Sequence, residues 1–314
     1  MAEKILVTGG AGFIGSWLCK VLSESGKSVI AYDDLSTGEL ANLDGMQGVE
    51  FVQGNICNID QLKKLPWESI TACYHLAAKG DVQESVDNPW LYTQVNIIGT
   101  QNILEFCRKK LVPTLFMSTC MVYGFDHSKD SGAINEEFPS LPLSPYGASK
   151  LSGEQLAISY HYSYGLPLKI ARPFNTYGPF QKTNNREGGV IPLFLERRRQ
   201  GKPLFIFGCG NQSRDFLYAR DCAEFLVSFM NTENTPMILN AGSDKSITIN
   251  ELAQTISLDE IAIEHVEHPH PQSEIPRLLC DSSLARKTLG WRPKVSLKEG
   301  LEENLNWLNH RLQA

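Results

Sequence analysis

Short apolar runs alternate with amphipathic stretches from the first residues of the chain. Lys4–Thr8 (KILVT) is a β-branched run that ends at a glycine. Phe13–Ser25 then places Phe13, Ile14, Trp17, Leu18, Val21 and Leu22 at helical spacing, and Gly26 stops it. Ser28–Tyr32, Val49–Gln53, Ala72–Leu76, Thr114–Ser118 and Pro167–Ala171 read as five further strands. Long helices are predicted over Trp90–Lys110 and Tyr146–Tyr164. Continuous apolar strands between amphipathic helices predict an α/β fold, a doubly wound parallel sheet of the Rossmann type. After Pro173 the loops lengthen, with Gly178-Pro179, Gly188-Gly189 and Gly208–Gly210 between elements. Helices are predicted over Asp221–Met230, Ile249–Ile256 and Leu297–Leu312, and Met237–Ala241 is a strand able to rejoin the sheet. The expected division is 1–173 for the domain of the parallel sheet, with segments near 215–245 returning to it, and 174–314 for a smaller C-terminal lobe.

Composition narrows the classes. At 314 residues and 42% hydrophobic content the chain has enough material for one large domain with an appendage. A net charge of -6 argues against bulk attraction to nucleic acid or an anionic membrane. There is no apolar run long enough to span a membrane and no signal-peptide pattern after Met1-Ala2-Glu3-Lys4. The eight cysteines form no CxxC pair or metal-ligand spacing, so no metal is expected and reduced thiols point to the cytoplasm.

Gly9-Gly10-Ala11-Gly12-Phe13-Ile14-Gly15 lies between the first strand and the first helix. Glycines there permit a tight turn, a close approach to a pyrophosphate and close helix–strand packing. The helix start offers free N–H groups to the phosphates. Asp33, at the next strand end, can accept both hydroxyls of a ribose and would repel a 2′-phosphate, which favours NAD over NADP. Asn55 and Ile56 fall where adenine would lie, and the small Leu76-Ala77-Ala78 end lets the cofactor cross the sheet edge.

Tyr146 and Lys150 share one helix face at i, i+4. An ammonium one turn from a phenol is expected to lower the phenol pKa and make Tyr146 a base toward an alcohol. Ser118 and Thr119 end the fifth strand, where a hydroxyl can bond the reacting oxygen.

These motifs, with His75-Leu76-Ala77-Ala78, Asn96-Ile97-Ile98-Gly99-Thr100, Val122-Tyr123-Gly124, Arg172-Pro173-Phe174-Asn175 and Tyr177-Gly178-Pro179, resemble the extended short-chain dehydrogenase/reductases. The nearest likeness is to the NAD-dependent nucleotide-sugar epimerase/dehydratase group, and it spans nearly the whole chain. The resemblance implies bound NAD held by Gly9, Gly12, Phe13, Ile14, Asp33, Asp34, Ser36, Thr37, Gly38, Asn55, Ile56, Leu76, Ala77, Ala78, Lys79, Asn96, Ser118, Tyr146, Lys150 and Pro173. It implies a nucleotide sugar, a UDP-sugar first, at Lys79, Thr119, Tyr146, Asn175, Val190, Phe205, Phe207 and Arg214, and a homodimer built on the two long helices. Arg214 is either a fork for a diphosphate or half of an ion pair with Asp215 or another acid. Phe205 and Phe207 alternate on a strand and are able to face one pocket, with core packing expected for one of them. The resemblance also places an arginine three residues before Glu274, where this chain has Pro271, so Arg277 is the expected second cation. Asn55 replaces an expected Asp, and His268 and His270 read as solvated loop residues.

The residues after Thr119 bear on the reaction. Relatives that are 4,6-dehydratases follow the Thr with Asp-Glu; here Cys120-Met121 stands instead. Without a second acid/base, the expected activity is 4-epimerisation through a 4-keto sugar. The alternative is a 4,6- or 5,6-dehydratase using Cys120 as acid/base, against the reading of Cys120 as a small apolar residue. A catalytically silent NAD-binding scaffold is the remaining class.

Overall fold

The computed structural model describes residues 3–124, 132–183, 189–258 and 260–311. Its strands are β1 (Lys4–Thr8), β2 (Val29–Asp33), β3 (Val49–Gln53), β4 (Ile70–His75), β5 (Thr114–Met117), β6 (Leu168–Pro173), β7 (Asn175–Tyr177), β8 (Leu204–Phe207), β9 (Ser213–Tyr218), β10 (Ile238–Ala241), β11 (Ser246–Thr248), β12 (Ile263–Val266) and β13 (Arg277–Leu278). Its α-helices are α1 (Phe13–Glu24), α2 (Ile59–Leu62), α3 (Val82–Asp87), α4 (Pro89–Tyr92), α5 (Thr100–Lys110), α6 (Pro145–Tyr164), α7 (Val190–Arg199), α8 (Ala219–Asn231), α9 (Ile249–Ser257), α10 (Ser283–Leu289) and α11 (Leu297–Arg311). The expected helix end at Leu312 and the glycine at 188 lie outside the described residues.

Seven parallel strands form one sheet in the order β10-β6-β5-β4-β1-β2-β3. Strand order reverses between β1 and β4, and a ligand belongs at the carboxyl ends beside that reversal. Every residue of β2 and β5 is buried, as strands covered on both faces require. On one face Trp17, Leu18 and Leu22 of α1 pack with Phe225, Leu226 and Phe229 of α8. On the other, Ile103 and Leu104 of α5 and Ala157 and Tyr160 of α6 cover Leu6, Ile30 and Phe116. A separate core joins α7, α9 and α11 to β7, β8 and β9 through Ile191, Phe194, Leu204, Leu252, Ile256 and Leu308. The strand expected at Met237–Ala241 does rejoin the sheet, next to β6.

The helix expected over 90–110 is interrupted. A π-helical stretch, Thr93–Gly99, separates α4 from α5. Its widened turn lets Asn96 reach sideways: the side-chain oxygen accepts from Lys79 N at 2.8 Å, and Nδ2 donates to Lys79 O at 3.0 Å and Ser149 Oγ at 2.9 Å. Helix α3 starts at Asp81, whose carboxylate accepts from Glu84 N at 2.6 Å. Helix α6 has Ser144 as N-cap, Pro145 in its first turn and Gly165 in the left-handed conformation at its end. Among the described residues, no helix is long and apolar enough to cross a membrane, and all eight cysteines are free thiols.

Candidate active site

The glycine loop sets the floor of a cleft of about 550 Å³ at the carboxyl ends of β1, β2, β4 and β5. Gly9 has φ +71°, and a Cβ there would stand 2.8 Å from Ala77 N on the neighbouring strand end. A Cβ at Gly15 would collide with the Gly9 carbonyl oxygen. Helix α1 begins after Gly12 with no side-chain cap, so its first N–H groups stay available to an anion. Asp33 is buried; its carboxylate accepts from Ala11 N at 3.1 Å and Leu35 N at 2.8 Å. Burial raises its pKa, and these backbone donors oppose the rise. Asp34 accepts from Asn55 Nδ2 at 2.9 Å and from Ser36 N at 2.9 Å, which ties the ends of β2 and β3 together. Asn55 is therefore a partner of Asp34 in this chain.

The reacting end lies where β5 runs out. Thr119 caps a short 3-10 turn, Cys120–Val122, by accepting from Met121 N at 3.2 Å. Helix α6 comes close to this turn because Gly147 has no side chain; a Cβ there would strike the Met121 carbonyl oxygen. Six residues on, a Cβ at Gly153 would stand 2.8 Å from the Phe116 ring. These two glycines bring Tyr146 and Lys150 against β5, and both line the cleft with Ser118, Thr119 and Cys120. Tyr146 lines the cleft with Thr119 and lies edge-on to Tyr92, with ring centroids 6.2 Å apart. Ser118 Oγ is buried without a hydrogen-bond partner, an unmet polar atom at the end of β5.

The electrostatics correct one expectation. Spacing alone predicts a lowered Tyr146 pKa, but burial pushes the phenol up to about 12, with the Thr119 hydroxyl pulling the other way. Burial also draws Lys150 down to about 7, opposed by Glu154. Desolvation outweighs the i, i+4 proximity for both groups. Burial likewise raises the Cys120 thiol to about 12, so it is a neutral thiol near pH 7, and the nearby Arg214 only partly offsets this.

A second cavity of about 260 Å³ adjoins the first through Asn175, Thr176, Gln181 and Gly189, and Val190, Arg214 and Glu274 line it. Arg214 is paired with Glu274, and its Nη1 donates to the carbonyls of Ser213 and Ile275, each at 2.8 Å. Asp215 instead accepts from Ser243 N and Oγ, both at 2.7 Å, so the ion-pair partner is Glu274. His268 Nε2 lies 2.8 Å from the other Glu274 oxygen, which corrects its reading as a solvated residue.

Of the expected cofactor residues, Gly9, Gly12, Phe13, Ile14, Asp33, Asp34, Ser36, Thr37, Asn55, Ile56, Leu76, Ala77, Ala78, Lys79, Ser118, Tyr146, Lys150 and Pro173 line the first cavity. Gly38 and Asn96 line neither. Gly38 backs the loop, where a Cβ would meet Ala11 and Asp33, and Asn96 braces Lys79. Phe205 and Phe207 also lie outside both cavities and outside the core. Leu204 and Ile206 take the buried side of β8, which leaves the two rings exposed. The Arg197 guanidinium covers Phe205 at 3.8 Å from the centroid, and Phe207 meets the His268 ring. Arg277 is exposed on β13 and lines neither cavity. The cleft residues Gly80–Glu84 and Gln181 went unnoticed in the sequence, although Asp81 and Glu84 carry a helix-start pattern.

Known proteins place this geometry. The pattern of the NAD dependent epimerase/dehydratase family matches residues 5–242. A putative UDP-glucose 4-epimerase of Methanocaldococcus jannaschii is 36% identical over 310 residues, covering 98% of each chain. The solved structure of Pal from Bacillus thuringiensis is 42% identical, with a TM-score of 0.93 and coverage of 98% of this chain and 100% of that one. That of a UDP-glucose 4-epimerase with UDP-glucose from Thermotoga maritima is 32% identical, with a TM-score of 0.92 and coverage of 99% and 100%. Sugar dehydratases are neighbours as well. The free N–H groups of α1, the Asp33 carboxylate and the unmet Ser118 hydroxyl fit NAD, and the chain belongs to the NAD-dependent epimerase/dehydratase family of enzymes.

Proposed function

We propose that the protein is a nucleotide-sugar 4-epimerase acting on a UDP-hexose. The observation that carries this reading is the meeting of Thr119, Tyr146 and Lys150 in one cleft, beside a turn at 118–122 that contains no carboxylate. NAD, when bound, supplies the acceptor for the C4 hydride and gives the hydride back. Asp33 holds the adenosine ribose, and the N-terminus of α1 holds the pyrophosphate. The Tyr146 phenol, neutral by itself, would be drawn toward its phenolate by the positive charges of bound NAD and of Lys150, and as the phenolate it takes the proton of the sugar 4-hydroxyl while Thr119 bonds the same oxygen. Lys150 supports the phenolate as an ammonium. Asn175, Val190 and Arg214 receive the nucleotide, with Arg214 leaving Glu274 for the diphosphate. Inversion at C4 would ask of the protein only that Tyr146 hand the proton back to the same oxygen, with no further acid or base. The uridine base is supported by the relatives' substrates.

One observation favours a second reading, a dehydratase. The Cys120 thiol lines the cleft beside Thr119 and is held protonated, a state suited to donating a proton to a leaving hydroxyl. The test is incubation with UDP-glucose and UDP-N-acetylglucosamine in deuterated water, followed by NMR. A C4-inverted sugar without deuterium at C5 is expected. A 4-keto-6-deoxy sugar with deuterium at C5, or a 5,6-ene, replaces the epimerase reading with the dehydratase. Cys120→Ala leaves turnover within a few-fold in the first case and abolishes it in the second.

A further inference from the structure

One turn beyond Lys150, α6 carries a carboxylate into the core. Glu154 is 0% exposed, Arg172 of β6 is 4% and Lys150 is 3%. Arg172 Nε and Nη2 donate to the two Glu154 oxygens at 2.9 and 2.6 Å, a bidentate pair. A buried ion pair is a poor source of net stability, because desolvation cancels most of the attraction and an apolar pair of similar volume does as well. Its position beside the lysine of the reacting site suggests a different role.

Arg172 itself is fixed from behind. Its guanidinium lies 4.8 Å from the Tyr123 ring centroid, and Tyr123 donates to Asn240 Oδ1 of β10 at 2.7 Å. The Lys150 ammonium lies 4.5 Å from the Phe116 ring centroid, a favourable contact for a cation. The groups on the elements around Lys150 leave Glu154 as its source of negative charge. His75 of β4 is neutral, because burial takes its imidazole down to about 3 and Lys150 adds to the effect. Tyr146, Cys120 and Tyr123 are each raised by burial and stay protonated. Glu84 and Tyr92, on α3 and α4 against α6, bond each other at 3.0 Å. Glu154 is the group whose charge favours the Lys150 ammonium against burial.

We propose that Glu154, clamped by Arg172, is a positioning residue for the oxidation step, supplying the counter-charge that keeps Lys150 an ammonium while Arg172 stops the carboxylate from drawing that ammonium out of the cleft. The division of labour follows from geometry. Both Glu154 oxygens are spent on the guanidinium, so Lys150 feels the charge without losing its place beside Tyr146. The proposal rests on the C4 oxidation proposed above.

The test uses Glu154→Gln and the double variant Glu154→Met/Arg172→Met, which removes both charges and guards against misfolding from one unpaired ion. Lys150 is followed by the NMR titration of its Cε, assigned by comparison with Lys150→Arg, and NAD reduction is followed in single turnovers across pH. Both variants are expected to lower the Lys150 midpoint and the alkaline limb of the oxidation rate together by about one pH unit, with KM for the nucleotide sugar little changed. Glu154→Asp restores most of the shift. Lys150 titration curves that overlay the wild type overturn the proposal, and so does a loss confined to KM. A wild-type protein that reduces no NAD with any UDP-sugar refutes the functional reading instead, and the Lys150 titration still decides what Glu154 does.

Discussion

The two walls of the cleft are built by different means. On the cofactor wall, backbone does the shaping: Gly9 lies against Ala77, Asp33 is fixed by Ala11 and Leu35 N–H groups, and Gly147 brings α6 to the Thr119 turn. On the wall of the second cavity, side-chain pairing does it. Arg214 is already bound to Glu274 and to two carbonyls, and Glu274 is shared with His268. The first wall is ready for a ligand as it stands. On the proposed reading the second would exchange one partner for another, and its affinity would be a difference between two strong interactions.

The largest effect expected from this contrast is on the fixed wall. Tyr146→Phe should lower turnover by about 10² to 10⁴-fold with the fold unchanged by circular dichroism. Turnover within tenfold of the wild type would remove Tyr146 from the chemistry. Next come the arginines. Arg214→Ala should raise KM for the nucleotide sugar by roughly 10 to 100-fold, the cost of a charge-assisted bond to the diphosphate. Arg277→Ala, exposed and outside both cavities, should change it by less than about twofold, as a surface substitution would. Equal effects from the two in steady-state kinetics would erase the distinction drawn between them. The smallest effect belongs to β8: Phe205→Ser and Phe207→Ser should leave KM unchanged and shift stability by about 0.5 kcal/mol or less in denaturant titration. A raised KM would return these rings to the substrate site.

What was legible in the sequence follows the same division. The glycine loop, Asp33 and the Tyr146/Lys150 pair could be read because the residues that make the site also make the local structure, a turn after a strand and one face of a helix. Pairings across distance left no local trace. The interruption at Thr93–Gly99 depends on Asn96 meeting Ser149, 53 positions away, which helical periodicity does not encode. All four residues of Leu204–Phe207 are apolar, so alternation could not say which pair faces inward. Helix α7 was missed because its apolar residues follow directly on a glycine-marked loop that reads as irregular chain. The Tyr146 pKa is not legible for a related reason: spacing reports proximity, whereas burial, a property of the whole fold, pushes the phenol up to about 12.

Strand β10 has a consequence for how the protein is made. Strand β6 ends at Pro173, and its outer neighbour begins at Ile238, 65 positions later. At ribosomal speeds that interval takes about 3 to 13 s. Throughout it the nascent sheet presents the unpaired backbone of Leu168–Pro173, a buried strand in the finished protein, to anything that can add a strand there. The stretch translated in the meantime includes α8, which packs with α1 on one face of the sheet and leaves that edge to β10. Completion of the sheet therefore waits on residues translated well after β6.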